Sequence, residues 1–406
     1  MTETPGPLNG IRVVACSTAQ AGTVPYMLMA DLGAEVIKIE APGTGDPSRH
    51  AGELRGENGA ISSFFETNNR NVKSVTLSLK TDEGRQILYK LIETADIFGQ
   101  NFRPGAAERN GFGYEDLKKI NPRLVYASVS AYGPLGPHAA LRGTDAVGQA
   151  LSGIAEAYSQ PGQPMRTGVV SVADEACAIL TFGGVLAALH HARTTGVGQK
   201  VETSLAGSAV RLMGWTLTTT MWRNRNPITG ARINGTRERP GIAAAFNDAE
   251  SKPLVVQLDH KDWKKAMEAL GFWGTLEERG ASDLGLALVD EEKKDLILAS
   301  LSELFATGRR DDWLEILREA DMVAAPVNTL LEASEDPDVR ANDYISEFEY
   351  PEIGEKLKVH GTPWRFSETP AKPGRAPKLG EHNSEVLGSL GYSEAEIASL
   401  AERKII

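Results

Sequence analysis

Residues 11–15 form a short apolar run that reads as a buried strand, residues 23–32 as a helix closed by Gly33, and EVIKIE at 35–40 as the next strand. Two short buried strands with a helix between them imply a parallel pair. The alternation continues with strands over 74–79, 96–100, 124–130 and 200–203. Helices are predicted over 83–94, over a long apolar stretch at 174–193, and after residue 203. The pattern breaks near Arg223, where 223–243 is rich in Arg, Asn, Gly and Pro without a clear period and reads as a linker or mobile loop. A smaller unit follows, with a strand over 254–258 and helices over 261–270, 291–306 and 310–319. Residues 326–380 are proline-rich and read as an extended return path, followed by short helices at 382–391 and 393–403. The class is therefore α/β.

Composition narrows the picture. A chain of 406 residues with 41% hydrophobic content has room for two or three domains. Its net charge of −11 argues against nucleic acid as a partner. Cys16 and Cys177 lie among apolar residues, which predicts no disulfide framework and a reduced, cytoplasmic setting. The seven histidines are scattered without zinc-ligand spacing, so no metal is predicted. MTETPGPLNG has no signal-peptide pattern, and no apolar run is read as reaching the ~20 residues of a membrane span. The expectation is a soluble protein with no membrane partner.

The turn Ser17-Thr18-Ala19-Gln20-Ala21-Gly22 lacks the glycine fingerprint of a dinucleotide site, yet it follows a strand, where open α/β sheets bind ligands. Asp174 stands where a strand-like run meets a helix. An N-cap is the plain reading; a carboxylate held ionised at a helix N-terminus is also a legitimate nucleophile. In the stretch 101–109, Pro104 is predicted at the first helical position, with Arg103 and Arg109 on either side. Those arginines are either solvated surface or a phosphate site. Asp145, three residues after Arg142, reads as the cap of the helix it precedes.

The segments NGIRVVACSTAQAG, DLGAEVIKIEAPGTGDPSR, NFRPGAAERNGFGYEDL, NPRLVYASVSAYGPLGP, VADEACAILTFGGVLAALHHARTTGVGQKVETSL, APVNTLLEASEDPDVRA and APKLGEHNSEVLGSLGYSEAEIASL, in this order, resemble the class III CoA-transferase (CaiB/BaiF) family. The resemblance implies a large Rossmann-like α/β domain built from 1–222 and 326–406, a smaller α+β domain over 223–325, and an interlocked homodimer. It implies transfer of CoA from an acyl-CoA to a free carboxylic acid, with Asp174 as nucleophile and Gln20 and Asp145 lining the active site. Ala19, Lys73, Asn101, Phe102, Arg103, Arg109 and Arg142 are expected around the CoA. Coenzyme A and acyl-CoA are substrates in this scheme, and no permanently bound cofactor is expected.

Three departures bear on the chemistry. Racemases of this fold place a His where this chain has Thr144, and two-base proton exchange needs that base. A racemase or a non-catalytic acyl-CoA binder are the alternatives. The region 234–245 has Gly235 and Gly241 but no glycine run, which puts formyl-CoA and oxalate in doubt. Ala41 replaces an Arg found after the second strand in relatives. Arg237 and Arg239 are either a second-carboxylate contact or a solvated loop, and Trp215 and Trp222 either an acyl pocket or core.

Overall fold

The computed structural model describes residues 5–159, 168, 170–226 and 232–406. These form two compact units, one of which takes in the described residues up to Tyr158, those from 168 to Arg225, and Arg340–Ile406, while the other runs Asn226–Val339.

The large unit is built on six strands: β1 (Arg12–Cys16), β2 (Glu35–Glu40), β3 (Lys73–Thr76), β4 (Ile97–Gln100), β5 (Val125–Ser130) and β6 (Lys200–Ser204). All neighbours are parallel, in the order β3-β2-β1-β4-β5-β6. Strands β1, β2 and β4 are buried along nearly their whole length because both faces are covered. On one face lie α1 (Val24–Asp31) and α3 (Val172–Thr195), burying Met27, Phe182, Val185 and Leu189 against Val13 and Val36. On the other lie Asp82–Ile92, Asn383–Ser389 and Glu394–Glu402, burying Leu88, Leu91, Leu387 and Leu400 against Val14 and Ile37. Two further helices complete the site face: α2 (Asp145–Ser152) and α4 (Leu205–Arg223).

The edge strand β3 is closed by chain from far downstream. His382 N donates to Ser74 O at 3.0 Å, and Asn383 Oδ1 accepts from Thr76 N at 2.9 Å. This satisfies backbone groups that an open edge would offer to other chains.

The small unit is a four-stranded antiparallel sheet in the order Val323–Pro326, Pro253–Leu258, Arg239–Asn247, Arg232–Thr236. Helices Asp262–Ala269, Glu291–Phe305 and Arg310–Glu319 bury Trp263, Ile297 and Leu314 with Ile242 and Phe246 of the sheet.

Two expectations are corrected. The 223–243 stretch is not a loop among its described residues: α4 runs to Arg223, and Arg232–Thr236 pairs with Arg239–Asn247 as a hairpin. Alternate burial of Pro240, Ile242, Ala244 and Phe246 gives the strand its period of two. An alanine run between them hid that period. Second, α3 does reach the length and apolarity of a membrane span, and half of that apolar stretch is buried within the unit. A helix apolar on most sides is what a parallel sheet requires over its middle.

Candidate active site

In this strand order the chain leaves β1 and β4 toward opposite sides, so their carboxyl ends open a crevice. Residues 17–23 follow β1, and 101–103 follow β4. Asn101 bridges the two: its Oδ1 accepts from Thr18 N at 3.0 Å and its Nδ2 donates to Thr18 O at 2.8 Å. Gly22 permits this approach, because a Cβ there would lie 2.5 Å from the Asn101 amide. Ala19 sits in the left-handed region at φ 60°, which costs a residue with a Cβ about 1 kcal/mol. The Thr23 hydroxyl donates to Ala19 O.

A buried ion pair underpins this turn. Lys38 Nζ donates to Ser17 O at 2.8 Å and meets Asp46 Oδ2 at 2.7 Å, both side chains being sealed from solvent. Burial alone would raise the Asp46 carboxyl. The Lys38 charge and hydrogen bonds from Lys38 and Ser48 outweigh it and hold the group below its usual range. Sequence reading missed both residues. The signal was a lone Lys in the otherwise apolar core of EVIKIE, a position that demands a partner.

Asp174 lies in the first turn of α3, but it is not the cap. The helix begins at Val172 behind Ser171, which makes no side-chain cap. The cap comes from α2: Asp145 Oδ1 accepts from Ala173 N at 2.8 Å and Asp174 N at 3.1 Å. Asp145 was expected to cap its own helix. Instead Thr144, exposed and without a side-chain cap bond, precedes α2, and the Asp145 carboxylate is spent on α3. Close packing allows this, since a Cβ on Gly148 would stand 2.6 Å from Ala173 Cβ. Gln20 Nε2 donates to Glu175 Oε1 at 2.6 Å, joining the β1 turn to the same helix end. Burial, then the negative charges of Asp145 and Glu175, push the Asp174 carboxyl up from 3.8 to about 6. An N-terminal position that simply keeps it ionised is therefore too simple a picture. The group is a poised carboxylate, still mostly charged at neutral pH.

The remaining candidates separate. Phe102 stands at the mouth of a cavity of about 550 Å³ beyond the carboxyl ends of β1–β3, lined also by Thr18, Ala41, Asp46, Leu79, Lys80 and Lys404. Arg103, Arg109 and Arg142 are exposed. Pro104 does not open a helix: Gly105, left-handed at φ 79°, precedes a helix of four residues, Ala106–Arg109. Lys73 lies elsewhere. It begins β3, level with Ile37, is held by Glu35 at 2.8 Å and Glu385 at 2.7 Å, and lines a different cavity with Arg375 and His382. Trp215 and Trp222 are neither core nor enclosed, at 76% and 86% exposed on α4. Arg237 and Arg239 are exposed at the hairpin turn of the small unit.

Comparison with known proteins agrees in family and fold. The model for CoA-transferase family III matches residues 8–383. An acyl-CoA transferase of Fusarium pseudograminearum is 31% identical, the alignment covering 99% of this chain and 88% of that one. A formyl-CoA:oxalate CoA-transferase of Rhodopseudomonas palustris is 30% identical over 97% and 96%. Among solved structures, a CaiB/BaiF family protein from Brucella suis superposes with a TM-score of 0.83 at 26% identity, covering 96% of this chain and all of that one. A hypothetical protein from Mycobacterium tuberculosis gives 0.78 at 28%, covering 95% and 100%.

Proposed function

The chain belongs to CoA-transferase family III and is an enzyme that moves CoA; from that premise we propose that Asp174 is the group through which the CoA passes. The Asp174 carboxylate attacks the thioester carbonyl of an acyl-CoA, giving a mixed anhydride and CoA thiolate. The thiolate attacks the aspartyl carbonyl, frees the donor carboxylate and leaves an aspartyl-CoA thioester. An acceptor carboxylate then runs the same steps in reverse. Covalent catalysis of this kind divides one difficult exchange into several easier ones.

The observation that supports this reading is convergence. Gln20 from the β1 turn, Asp145 from α2 and Asp174 from α3 meet at one helix end, joined by the Gln20–Glu175 and Asp145–amide hydrogen bonds. The adjoining cavity suits the nucleotide end of CoA, with Phe102 as a ring surface and Lys80 and Lys404 as cations for phosphate. Thr144 offers no ionisable group for α-proton exchange.

A two-subunit assembly belongs to the same reading. α4 exposes Leu212, Trp215, Met221 and Trp222, and exposed apolar side chains in such number mark an interface. A second copy of this chain is the occupant we propose, measurable by light scattering on a sizing column.

The deciding experiment incubates the enzyme with an acyl-CoA and hydroxylamine, followed by peptide mass spectrometry. Label on Asp174, and its loss together with transfer in Asp174→Ala, is expected. Transfer that survives in Asp174→Ala overturns the mechanism.

A further inference from the structure

We propose that Asp145 and Gln149 are positioning residues that form a fixed-charge clamp, favouring the uncharged, covalently substituted form of Asp174 over its free carboxylate. The inference rests on the nucleophile reading above and adds a reason for the second carboxylate.

The Asp145 carboxylate is surrounded by donors. Its Oδ1 takes the amides of Ala173 and Asp174 at 2.8 and 3.1 Å, and its Oδ2 takes Gln149 Nε2. Three N–H groups from two helices thus converge on this one carboxylate and hold it in place. Gln149 is only 1% exposed and is itself fixed, since its Oε1 accepts from Gly168 N at 2.9 Å. One buried amide therefore ties the Asp145 charge to the backbone that leads into Asp174. The capping bond fixes Asp145 at the helix turn that carries Asp174, and its charge acts on the Asp174 carboxyl.

Other charges near Asp174 do not cancel this one. Glu175, on the same helix, is negative and adds to it. His360, the basic group that shares a cavity with Glu175, is pushed down by burial and by Arg70, which favours its neutral form. Arg211 and Arg223 of α4 are exposed. The Cys177 thiol, on the same face of α3, meets the Thr203 hydroxyl.

Formation of the aspartyl-CoA thioester breaks the acyl–sulfur bond of the donor and forms a bond from sulfur to the Asp174 carbonyl. One Asp174 oxygen leaves in the donor carboxylate, and the negative charge leaves with it. Asp174 thus passes from charged to neutral beside a charge that cannot move away. Protonation and acylation relieve the same repulsion, so whatever favours the neutral acid also favours the thioester. The raised proton affinity of Asp174 is the visible half of that relation.

The test uses Asp145→Asn, which retains an oxygen for the α3 amides but removes the charge, and Gln149→Met, which keeps the charge but frees its carboxylate. Two quantities are read: the fraction of enzyme held as aspartyl-CoA at fixed acyl-CoA, and the Asp174 carboxyl titration followed by ¹³C NMR in the free enzyme. Asp145→Asn is expected to lower the trapped-to-free ratio about tenfold and to move the midpoint down by about one pH unit, the two being equivalent. Gln149→Met is expected to move both the same way by less. A midpoint and ratio unchanged in Asp145→Asn overturn the clamp, provided circular dichroism shows α3 intact. If Asp174 carries no label even in the native enzyme, the nucleophile reading fails. The titration then still decides whether the clamp exists.

Discussion

Asp145 caps the helix that carries Asp174, accepting from the Asp174 backbone amide at 3.1 Å from a position 29 residues earlier in the chain. The proposed nucleophile thus sits on a helix end that another carboxylate holds in place.

Activity should fall as pH drops through about 6, the value to which burial, Asp145 and Glu175 push Asp174. The nucleophile is the deprotonated form, so kcat/KM is expected to be flat above about pH 7 and to decrease about tenfold per unit well below 6. Glu175→Gln removes one of the two charges and should shift that limb toward acid. A limb unmoved in Glu175→Gln would show that its charge does not reach Asp174.

Asp174 should also cost the fold stability. Its folded value lies above the unfolded one, so the folded state holds this proton more tightly. Stability from that source is complete below about pH 4 and is lost as pH rises through about 6. Asp174→Asn should therefore raise the melting temperature at pH 8 while abolishing transfer. The gain is on the order of 2 kcal/mol, and it should vanish near pH 4. Calorimetry at the two pH values measures it.

Lys38→Met should destabilise the large unit by about 3–5 kcal/mol, because it leaves Asp46 buried without its partner. The loss should extend to function, since Lys38 also holds Ser17 O beneath the strained Ala19 turn. Chemical denaturation and a CoA affinity measurement on the surviving folded fraction give both numbers.

Gly148→Ala should force α2 away from α3, a Cβ there standing 2.6 Å from Ala173 Cβ. A modest stability loss of about 1–3 kcal/mol is expected from overpacking. The loss in kcat should be larger than the stability loss suggests, because Asp145 moves with α2. Unchanged kcat in a folded Gly148→Ala protein would separate the cap from catalysis.

Two lysines can be set against each other. Lys80 lines the cavity with Phe102, whereas Lys73 is committed to Glu35 and Glu385. Lys80→Ala should weaken CoA binding several-fold and reduce its salt dependence. Lys73→Ala should leave binding unchanged. The opposite ranking, measured by calorimetric titration at two salt concentrations, would move the phosphate site.

The comparison of sequence with structure turns on which relations are local. The strands of the large unit were legible because a strand buried on both faces is largely apolar, as in 11–15, interrupted only by Arg12, and in 124–130, interrupted only by serines. Asp174 was legible as a residue at a helix start. Its true cap was not, because Asp145 reaches it through packing at Gly148 and no local spacing records that. Lys73 and Lys80 flank the same predicted strand, and only the direction of β3 shows which of them borders the Phe102 cavity. The Arg239–Asn247 strand was hidden by three consecutive alanines, which carry no polarity signal on either face. Lys38 was in plain view, but its meaning depended on Asp46, eight residues away across a turn.

The closure of β3 by His382 and Asn383 has a consequence for how the protein is made. The strand leaves the ribosome some 300 residues before the groups that complete it. At the 5–20 residues per second of synthesis, the nascent chain carries an unfinished sheet for at least about 15 seconds. Throughout that interval the main chain of Lys73–Thr76 is a template for pairing with any neighbouring strand. Expression of this enzyme should therefore depend on holdase capacity during translation, even where the finished protein is stable.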